Sequence, residues 1–224
     1  MIRQHFPELV AILPALNEAQ SITKVIEAIG EFSDVLVVDD GSTDRTCDLA
    51  KAAGALTISH PVNRGYDQAL ESGLFTAASK GYKFAVTLDA DGQHNPYFIS
   101  LFFDELQEGS DIVVGVRDRK QRWAETLFSF ISKSLWGIDD PLCGMKGYRL
   151  DLIRSIGVFN TYSSVGTELS IRAFRSGFRI SNVPIITSRR NGVSRFGGGL
   201  KANLRILRAA ILGMVLAKSF DSSL

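Results

Sequence analysis

The segment Ala85-Val86-Thr87-Leu88-Asp89-Ala90-Asp91-Gly92-Gln93-His94 joins an apolar, β-branched run to a cluster of polar residues. The run predicts a buried strand, and the Asp-Gly pair that follows it predicts a turn. Asp89 and Asp91 stand at the end of this strand, where their carboxylates repel each other unless a cation lies between them. Hard oxygen ligands suit Mg²⁺ or Mn²⁺, which proteins often hold through one or two carboxylates and substrate phosphates. The segment therefore predicts either a metal and phosphate site or a polar turn with solvated aspartates.

Strands and helices alternate through the first half of the chain. Apolar runs predict strands at residues 9–13, 35–38, 56–58, 84–88 and 112–114, with a helix after each of the first four. The short connections favour an α/β fold with a doubly wound, mainly parallel sheet. Ligands bind such sheets at the carboxyl ends of the strands. Polar clusters follow four of the strands at this edge: residues 14–18, 39–44, 63–65 and 89–94.

The second half is less regular. It is predicted to contain helices at 125–135, 150–156, 168–176 and 200–218, and a turn-rich loop at 137–147. A strand at 178–186 contains Pro184, which predicts an edge strand or a break. With 224 residues and neither repeat nor linker, residues 1–224 are predicted to form a single domain.

Charge is unevenly distributed, although the net charge is only +1. No acidic residue occurs from Leu169 to Phe220, a stretch that holds ten Lys and Arg residues. This distribution predicts an anion-binding surface. A diphosphate, a lipid phosphate or an anionic membrane fits better than nucleic acid, because the stretch has no nucleic-acid-binding motif.

Cysteine content and hydropathy indicate a cellular setting. Cys47 and Cys143 lack metal-ligand spacing, which favours a reduced, cytosolic protein. No signal-peptide pattern is present, and no apolar run reaches the length of about 18 residues expected of a membrane span.

The last predicted helix is basic on one side and apolar on another. Its basic stripe is Lys201, Arg205 and Arg208, and its apolar face is Leu204, Leu207, Ile211, Met214 and Val215. This pattern is typical of a helix that lies on an anionic membrane. A surface helix packed on the core, or a dimer helix, explains it nearly as well.

Several motifs, taken in order, resemble the inverting glycosyltransferases of family 2, which have the GT-A fold. They are residues 37–44 (Val-Val-Asp-Asp-Gly-Ser-Thr-Asp), Asn63-Arg64-Gly65 and residues 88–94 (Leu-Asp-Ala-Asp-Gly-Gln-His). The last motif and Gly115-Val116-Arg117 most resemble the dolichyl-phosphate mannose synthase branch. The resemblance covers about residues 9–196 and extends to Asp140-Pro141, Cys143-Gly144, Arg189, Gly192, Ser194 and Arg195.

This resemblance implies a metal-dependent enzyme with a nucleoside-diphosphate-sugar donor and a polyprenyl phosphate or glycan acceptor. It implies a cytoplasmic protein, or one peripheral at the inner face of the membrane. Within the single domain it implies a nucleotide-binding half at about 9–117, an acceptor half at about 118–199 and the basic helix at about 200–218. A sugar-nucleotide nucleotidyltransferase and a non-catalytic nucleotide-sugar-binding module are the alternative classes.

The resemblance also implies roles for individual residues. Asp89 and Asp91 would hold Mg²⁺ or Mn²⁺, with Gln93 as a third ligand and Asp91 essential for catalysis. Asp39 and Asp40 carry acceptors suited to nucleobase or ribose donors. Contacts to the nucleotide-sugar or its phosphates are implied for further residues: Pro14, Ala15, Asn17, Glu18, Asp89, Arg117, Arg189 and Arg195.

Structural explanations compete with several of these roles. Ser42 or Thr43 would cap the second helix, and Glu18 would place its charge at a helix N-terminus. The arginines would form a solvated face. Glu168, the candidate catalytic base for a hydroxyl acceptor, stands where the resembling family often has an acidic residue near the acceptor, but a first-turn glutamate behind a Thr167 cap explains it equally well. A lipid monophosphate acceptor needs no general base, whereas a hydroxyl acceptor does.

Overall fold

The computed structural model describes residues 4–120, 122–157, 165–188 and 199–219. Seven strands in these ranges form one sheet in the order β3-β2-β1-β4-β6-β5-β7. The strands are β1 (Leu9–Ala15), β2 (Asp34–Asp39), β3 (Leu56–Ser59), β4 (Phe84–Thr87), β5 (Ile112–Arg117), β6 (Lys146–Arg149) and β7 (Ile180–Ile185).

All neighbouring strands pair in parallel except β6, which runs antiparallel to both β4 and β5. The predicted mixed α/β fold with a mainly parallel sheet is therefore confirmed. β7, which contains Pro184, lies at the edge of the sheet, as its proline requires. The predicted extension of the 137–147 loop to Gly147 is wrong, because β6 already begins at Lys146. Its four residues, Lys-Gly-Tyr-Arg, have no apolar run that could have marked them as a strand.

Eight helices connect or follow the strands within the described ranges. They are α1 (Ile22–Gly30), α2 (Thr46–Ala52), α3 (Tyr66–Ser79), α4 (Phe98–Gln107), α5 (Trp123–Trp136), α6 (Asp151–Ile156), α7 (Val165–Arg175) and α8 (Gly199–Ser219). Each lies within a few residues of its predicted position.

The core lies on both faces of the sheet, because successive side chains of a strand point to opposite faces. In β1, Val10 and Ile12 pack with α3, α5, α6, α7 and α8 on one face. Leu9, Ala11 and Leu13 pack with α1, α2 and α4 on the other. This two-sided burial explains why β1 is a continuous apolar run rather than an alternating one.

The helix α8 packs on the core through a different set of residues from the predicted apolar face. Ile206 and Ala210 are buried, whereas Leu204 and Ile211 are more than half exposed. Leu207 and Met214 are partly buried against the core, and the side chain of Val215 lies outside the described part of the chain. Of the predicted apolar face, Leu207 and Met214 therefore pack on the core, whereas Leu204 and Ile211 remain on the outer side of the helix.

Candidate active site

The carboxyl ends of β1, β2 and β4 surround a cavity of about 380 Å³. It collects six of the predicted site residues, which are far apart in the sequence: Pro14, Ala15, Glu18, Asp40, Asp89 and Asp91. The remaining lining residues are Leu16, Asn63, Gly65, Tyr66, Ala69 and Ala90. The strand-end clusters predicted to meet at one edge of the sheet therefore do so.

Asp40 is buried and organises one wall of the cavity. Its Oδ1 accepts a hydrogen bond from the Arg64 backbone N–H (2.9 Å) and lies 2.7 Å from His60 Nδ1. Its Oδ2 accepts one from the Gly65 N–H at 2.8 Å. The second ring nitrogen of His60, Nε2, lies 3.0 Å from the hydroxyl of Ser72 in α3. Asp40 therefore holds the loop between β3 and α3 in place, and the sequence did not single out His60 for this role.

The loop after β1 is tied to the loop after β2. Asn17 has a left-handed backbone (φ 55°) and accepts a hydrogen bond on its Oδ1 from the Thr43 N–H at 2.9 Å. Its own N–H donates to Ser42 Oγ at 2.9 Å. The prediction that Ser42 or Thr43 caps α2 is wrong, because this helix begins at Thr46. Asp44 accepts the Thr46 N–H instead, at 2.9 Å from its Oδ1.

Two other predicted residues at this edge are also engaged within the protein. Asp39 is buried and accepts a hydrogen bond on its Oδ1 from the Ser42 N–H at 3.3 Å. The Glu18 carboxylate accepts one from Ser21 Oγ at 2.9 Å while the residue lines the cavity. Glu18 therefore contacts Ser21 at the N-terminal end of α1 and also lines the cavity.

The turn after β4 presents the predicted metal ligands. The Gln93 N–H donates to Asp91 Oδ1 (3.0 Å), and the Asp89 N–H donates to His94 Nδ1 (3.3 Å). Gln93 also bonds twice to Ser188, from its side-chain Nε2 to the Ser188 carbonyl (3.2 Å) and from the Ser188 N–H to its own carbonyl (3.0 Å). The turn is thus joined to the segment that follows β7.

These residues fit a divalent cation that is shared with a phosphate ligand. Within the described ranges, no group of three or more His, Cys, Asp and Glu side chains could hold a metal by itself. Asp89 and Asp91 nevertheless line one cavity, and the side-chain oxygen of Gln93 follows them in the same turn. Two carboxylates and an amide oxygen are hard ligands, and Mg²⁺ commonly completes such a set with water and substrate phosphates.

Arg117 forms a buried ionic cluster instead of lining the cavity. Its Nε lies 2.7 Å from Asp140 Oδ2, and its Nη2 lies 2.9 Å from Asp140 Oδ1 and 3.2 Å from Glu125 Oε2. The exposed fractions of the three side chains are 16% for Arg117, 1% for Asp140 and 4% for Glu125. Burial lowers the pKa of Arg117, but the hydrogen bonds and charge of Asp140 raise it by more, to well above its ordinary value. The phosphate contact predicted for Arg117 stays a prediction.

Lys146 is a buried cation behind the site that the sequence analysis missed. Its Nζ donates hydrogen bonds to the carbonyls of Pro141 (2.9 Å) and Cys143 (2.7 Å). Burial lowers the pKa of the Lys146 ammonium, and the charges of Cys143, Asp140 and Asp89 oppose that shift only in part. Burial likewise raises the pKa of the Cys143 thiol to about 12. The sole sequence signal was a lysine between Met145 and Gly147, within an apolar, glycine-rich stretch.

Glu168 lies in α7 and is buried, with Oε1 3.8 Å from the Nε of Arg172. The Thr167 hydroxyl donates to the Pro141 carbonyl at 3.0 Å, so its bond goes to another loop rather than to its own helix. Neither residue lines the cavity. Arg189 and Arg195 lie outside the described residues, and the roles of all three charged residues stay predictions.

Comparison with known proteins yields matches over most of the chain. The model of the family described as Glycosyl transferase family 2 matches residues 10–126. An undecaprenyl-phosphate mannosyltransferase of Micrococcus luteus is 32% identical over 219 residues, which cover 86% of this chain and 88% of the relative. A dolichyl-phosphate hexose transferase of Haloferax volcanii is 28% identical, over 94% of this chain and 97% of the relative.

Solved structures resemble the fold as well. Glucosyl-3-phosphoglycerate synthase from Mycobacterium tuberculosis, in complex with Mn²⁺, UDP and phosphoglyceric acid, superposes with a TM-score of 0.74 at 26% identity. The superposition covers 93% of this chain and 78% of that one. The same enzyme in complex with Mg²⁺ and UDP gives a TM-score of 0.72 at 26% identity, over the same shares of the two chains.

Proposed function

Because this chain belongs to glycosyl transferase family 2 and has the GT-A fold, we propose that it transfers a sugar from a nucleoside-diphosphate-sugar to a polyprenyl phosphate, with inversion at the sugar. Membership of the family makes it a glycosyltransferase and sets the nucleotidyltransferase and binding-module alternatives aside. The observation that carries the proposal is that Asp89 and Asp91 line one cavity with Glu18 and Asp40.

Within this proposal, the nucleotide lies in the cavity between the loops that follow β1, β2 and β3. Asp40, which follows β2, lines this cavity together with Pro14, Ala15 and Glu18 from β1 and the loop after it. Asp39, the last residue of β2, and Asn17 are the other nucleotide contacts in the proposal. Residues 9–117 act as the nucleotide half of the single domain and residues 118–199 as the acceptor half. Arg189 and Arg195 are the proposed phosphate contacts near the end of the acceptor half.

Asp89, Asp91 and Gln93 are the proposed ligands of Mg²⁺ or Mn²⁺. When bound, the ion supplies positive charge that stabilises the departing nucleoside diphosphate. Binding of the same ions by the synthase of Mycobacterium tuberculosis supports this assignment.

The reaction proposed for the chain is a direct displacement. A phosphate oxygen of the acceptor bonds to the anomeric carbon of the sugar as the bond from that carbon to the diphosphate oxygen breaks. The acceptor oxygen is already an anion, so no side chain has to remove a proton. The names of the relatives from Micrococcus luteus and Haloferax volcanii contain a polyprenyl phosphate, undecaprenyl phosphate and dolichyl phosphate respectively, which supports this class of acceptor.

A polyprenyl phosphate is held in a membrane, and two helices carry apolar side chains suited to the surface of one. Trp123 (60% exposed), Leu127 and Phe130 (72% exposed) follow each other along one side of α5, and Leu204 and Ile211 are exposed on α8. The sole acidic residue of these helices, Glu125, is buried. No described helix is long and apolar enough to cross a membrane. We therefore propose peripheral contact with an anionic membrane, at its cytoplasmic face, through α5 and α8.

Transfer of a labelled sugar from UDP-, GDP- and TDP-sugars to undecaprenyl phosphate in vesicles tests the activity. We expect transfer from one of these donors in the presence of Mn²⁺ or Mg²⁺, and its loss with excess chelator. Asp91→Asn should abolish transfer with an unchanged circular dichroism spectrum, whereas Asp48→Asn, an exposed change in α2, should not. Full activity in chelator would contradict the metal, and transfer to a soluble hydroxyl acceptor alone would contradict the lipid acceptor.

Vesicle sedimentation tests the membrane contact separately. Phe130→Ser should weaken binding to vesicles that contain phosphatidylglycerol. Phe75→Ser, at an exposed aromatic residue of α3, is the matched control and should leave binding unchanged. Equal binding by wild type and Phe130→Ser would show that α5 does not face the membrane.

A further inference from the structure

A short turn at residues 141–144 belongs to the acceptor half of the chain and lies next to the predicted metal ligand Asp89. It connects Asp140 to β6, which runs in the middle of the sheet. Its backbone carbonyls accept hydrogen bonds from side chains of three other elements. Lys146 in β6 donates two of these bonds, and Thr167 in α7 and Thr87 in β4 donate one each. The turn is therefore fixed by side chains and not by pairing within a sheet.

Lys146 donates the strongest of these hydrogen bonds. Its ammonium donates to the carbonyls of Pro141 and Cys143, at 2.9 and 2.7 Å, and only 4% of the residue is exposed. Hydrogen bonds from a charged donor are stronger than neutral ones, and burial strengthens them further. The Thr167 hydroxyl adds a third bond, to the same Pro141 carbonyl, at 3.0 Å.

The far end of the turn touches the predicted metal ligand Asp89. Thr87 Oγ1 donates to the Gly144 carbonyl at 2.8 Å and holds this residue against the end of β4. A Cβ atom at position 144 would lie 2.8 Å from both carboxylate oxygens of Asp89, which is closer than real Cβ contacts allow. The Asp89 carboxylate thus lies directly against the backbone of Gly144, and a shift of the turn has to move it.

We propose that Lys146 is a positioning residue, which fixes the turn at residues 141–144 and thereby the orientation in which Asp89 meets its metal ion. The inference rests on the proposed function, because it takes Asp89 as a metal ligand. Methionine has nearly the length of lysine but cannot donate a hydrogen bond. Lys146→Met therefore frees the Cys143 carbonyl and leaves the Pro141 carbonyl with its bond from Thr167 alone, which lets Gly144 move with respect to Asp89.

Mn²⁺ binding in the presence of UDP, followed by electron paramagnetic resonance, tests this role without measuring turnover. Removal of a residue that orients a metal ligand typically weakens metal binding by about 10–100-fold. We expect this loss for Lys146→Met, and also for Gly144→Ala, which displaces the Asp89 carboxylate directly. The matched controls are Lys133→Met, an exposed lysine, and Gly30→Ala, where an added Cβ meets nothing within 4 Å.

Measuring Mn²⁺ affinity and kcat separately distinguishes a positioning role of Lys146 from a general loss of structure. If Lys146 positions Asp89, high Mn²⁺ should restore much of the kcat of Lys146→Met, so that the change falls on the Mn²⁺ concentration required. A folded Lys146→Met protein that binds Mn²⁺ as wild type does would overturn the inference. Should this variant fail to fold, wild-type Mn²⁺ affinity in Gly144→Ala would overturn it. Absence of Mn²⁺ binding by the wild type would instead refute the proposed function, and the inference with it.

Discussion

The buried cluster of Arg117, Asp140 and Glu125 makes a quantitative prediction about stability. Arg117→Met removes the two hydrogen bonds from the guanidinium to Asp140, at 2.7 and 2.9 Å. Glu125 keeps a second partner, because Arg122 Nη1 lies 3.0 Å from its Oε1. Asp140 keeps only a weaker bond of 3.3 Å from the backbone N–H of residue 117 among those seen at its carboxylate. The loss of stability therefore comes mainly from the Asp140 carboxylate, which loses its two strongest hydrogen bonds.

The size of the loss follows from the burial of Asp140. Two hydrogen bonds to a charged group contribute about 1.5–3 kcal/mol each, but such contributions are not additive. Breaking a buried ion pair by removing one partner typically costs about 3–5 kcal/mol. We therefore expect Arg117→Met to lower the free energy of unfolding by about 4 kcal/mol. For a domain of this size that corresponds to a decrease in Tm of about 8–16 °C.

Urea denaturation followed by circular dichroism measures this change. Arg119→Met is the matched control, because Arg119 is 84% exposed and its Nε is 3.8 Å from Asp118 Oδ2. An exposed pair of this kind contributes about 0–1 kcal/mol. Combining Arg117→Met with Asp140→Asn should cost less than the sum of the single changes, since both remove one interaction.

The same variants decide between two roles for Arg117. If Arg117 bound mainly the donor diphosphate, Arg117→Met would weaken UDP binding and leave the unfolding free energy within about 1 kcal/mol of wild type. That result would refute the structural argument. A large loss of stability in Arg117→Met, together with UDP binding close to wild type in the fraction that remains folded, would support it.

Three further predictions concern single side chains. Burial raises the pKa of Asp44, but hydrogen bonds from Thr46 lower it by more, so its pKa lies below the ordinary value. At pH values above the ordinary pKa of an aspartate, Asp44 therefore contributes its full stabilisation of the fold. This contribution is lost as the pH falls through the lowered pKa. Asp44→Asn should thus lose more stability at about pH 7 than at about pH 3, as measured by urea denaturation. Because burial raises the pKa of Cys143 to about 12, Ellman's reagent should label Cys47 alone in the native protein and both thiols in denaturant; labelling of two thiols in the native state would contradict this. Asp40→Asn should lower the free energy of unfolding by about 1–3 kcal/mol, because a donor at one of its three hydrogen bonds loses its acceptor, and an unchanged urea midpoint would argue against the role of Asp40 in the loop after β3.

The parts of the fold that follow from local pattern were predictable. The apolar runs of β1, β2 and β4 are buried on both sides, so their composition marks them without knowledge of their neighbours. β6 was not predictable in this way, because Lys146 and Gly147 are poor strand formers. Its pairing with β4 and β5 overrides these local preferences.

The candidate site was likewise predictable only in part. That Asp40, Asp89 and Asp91 belong to one ligand site could be predicted, because parallel strands place their carboxyl ends at one edge. What each side chain contacts could not be predicted. Asp40 is occupied by the N–H groups of Arg64 and Gly65, and such bonds depend on loops that only the folded chain brings together.

By itself the sequence determined the α/β class, the family and the edge of the sheet that carries the site. Each of these depends on residue types at short spacing: apolar runs, Asp-Gly turns and carboxylates at strand ends. Tertiary structure alone decided that Arg117 pairs with Asp140, that Lys146 is buried beneath the site and that Leu204 and Ile211 face outward. The first two outcomes depend on which distant polar groups meet a buried charge, because a charge in a low-dielectric interior requires a partner. The third depends on which side of α8 the core covers. No local sequence pattern carries either kind of information.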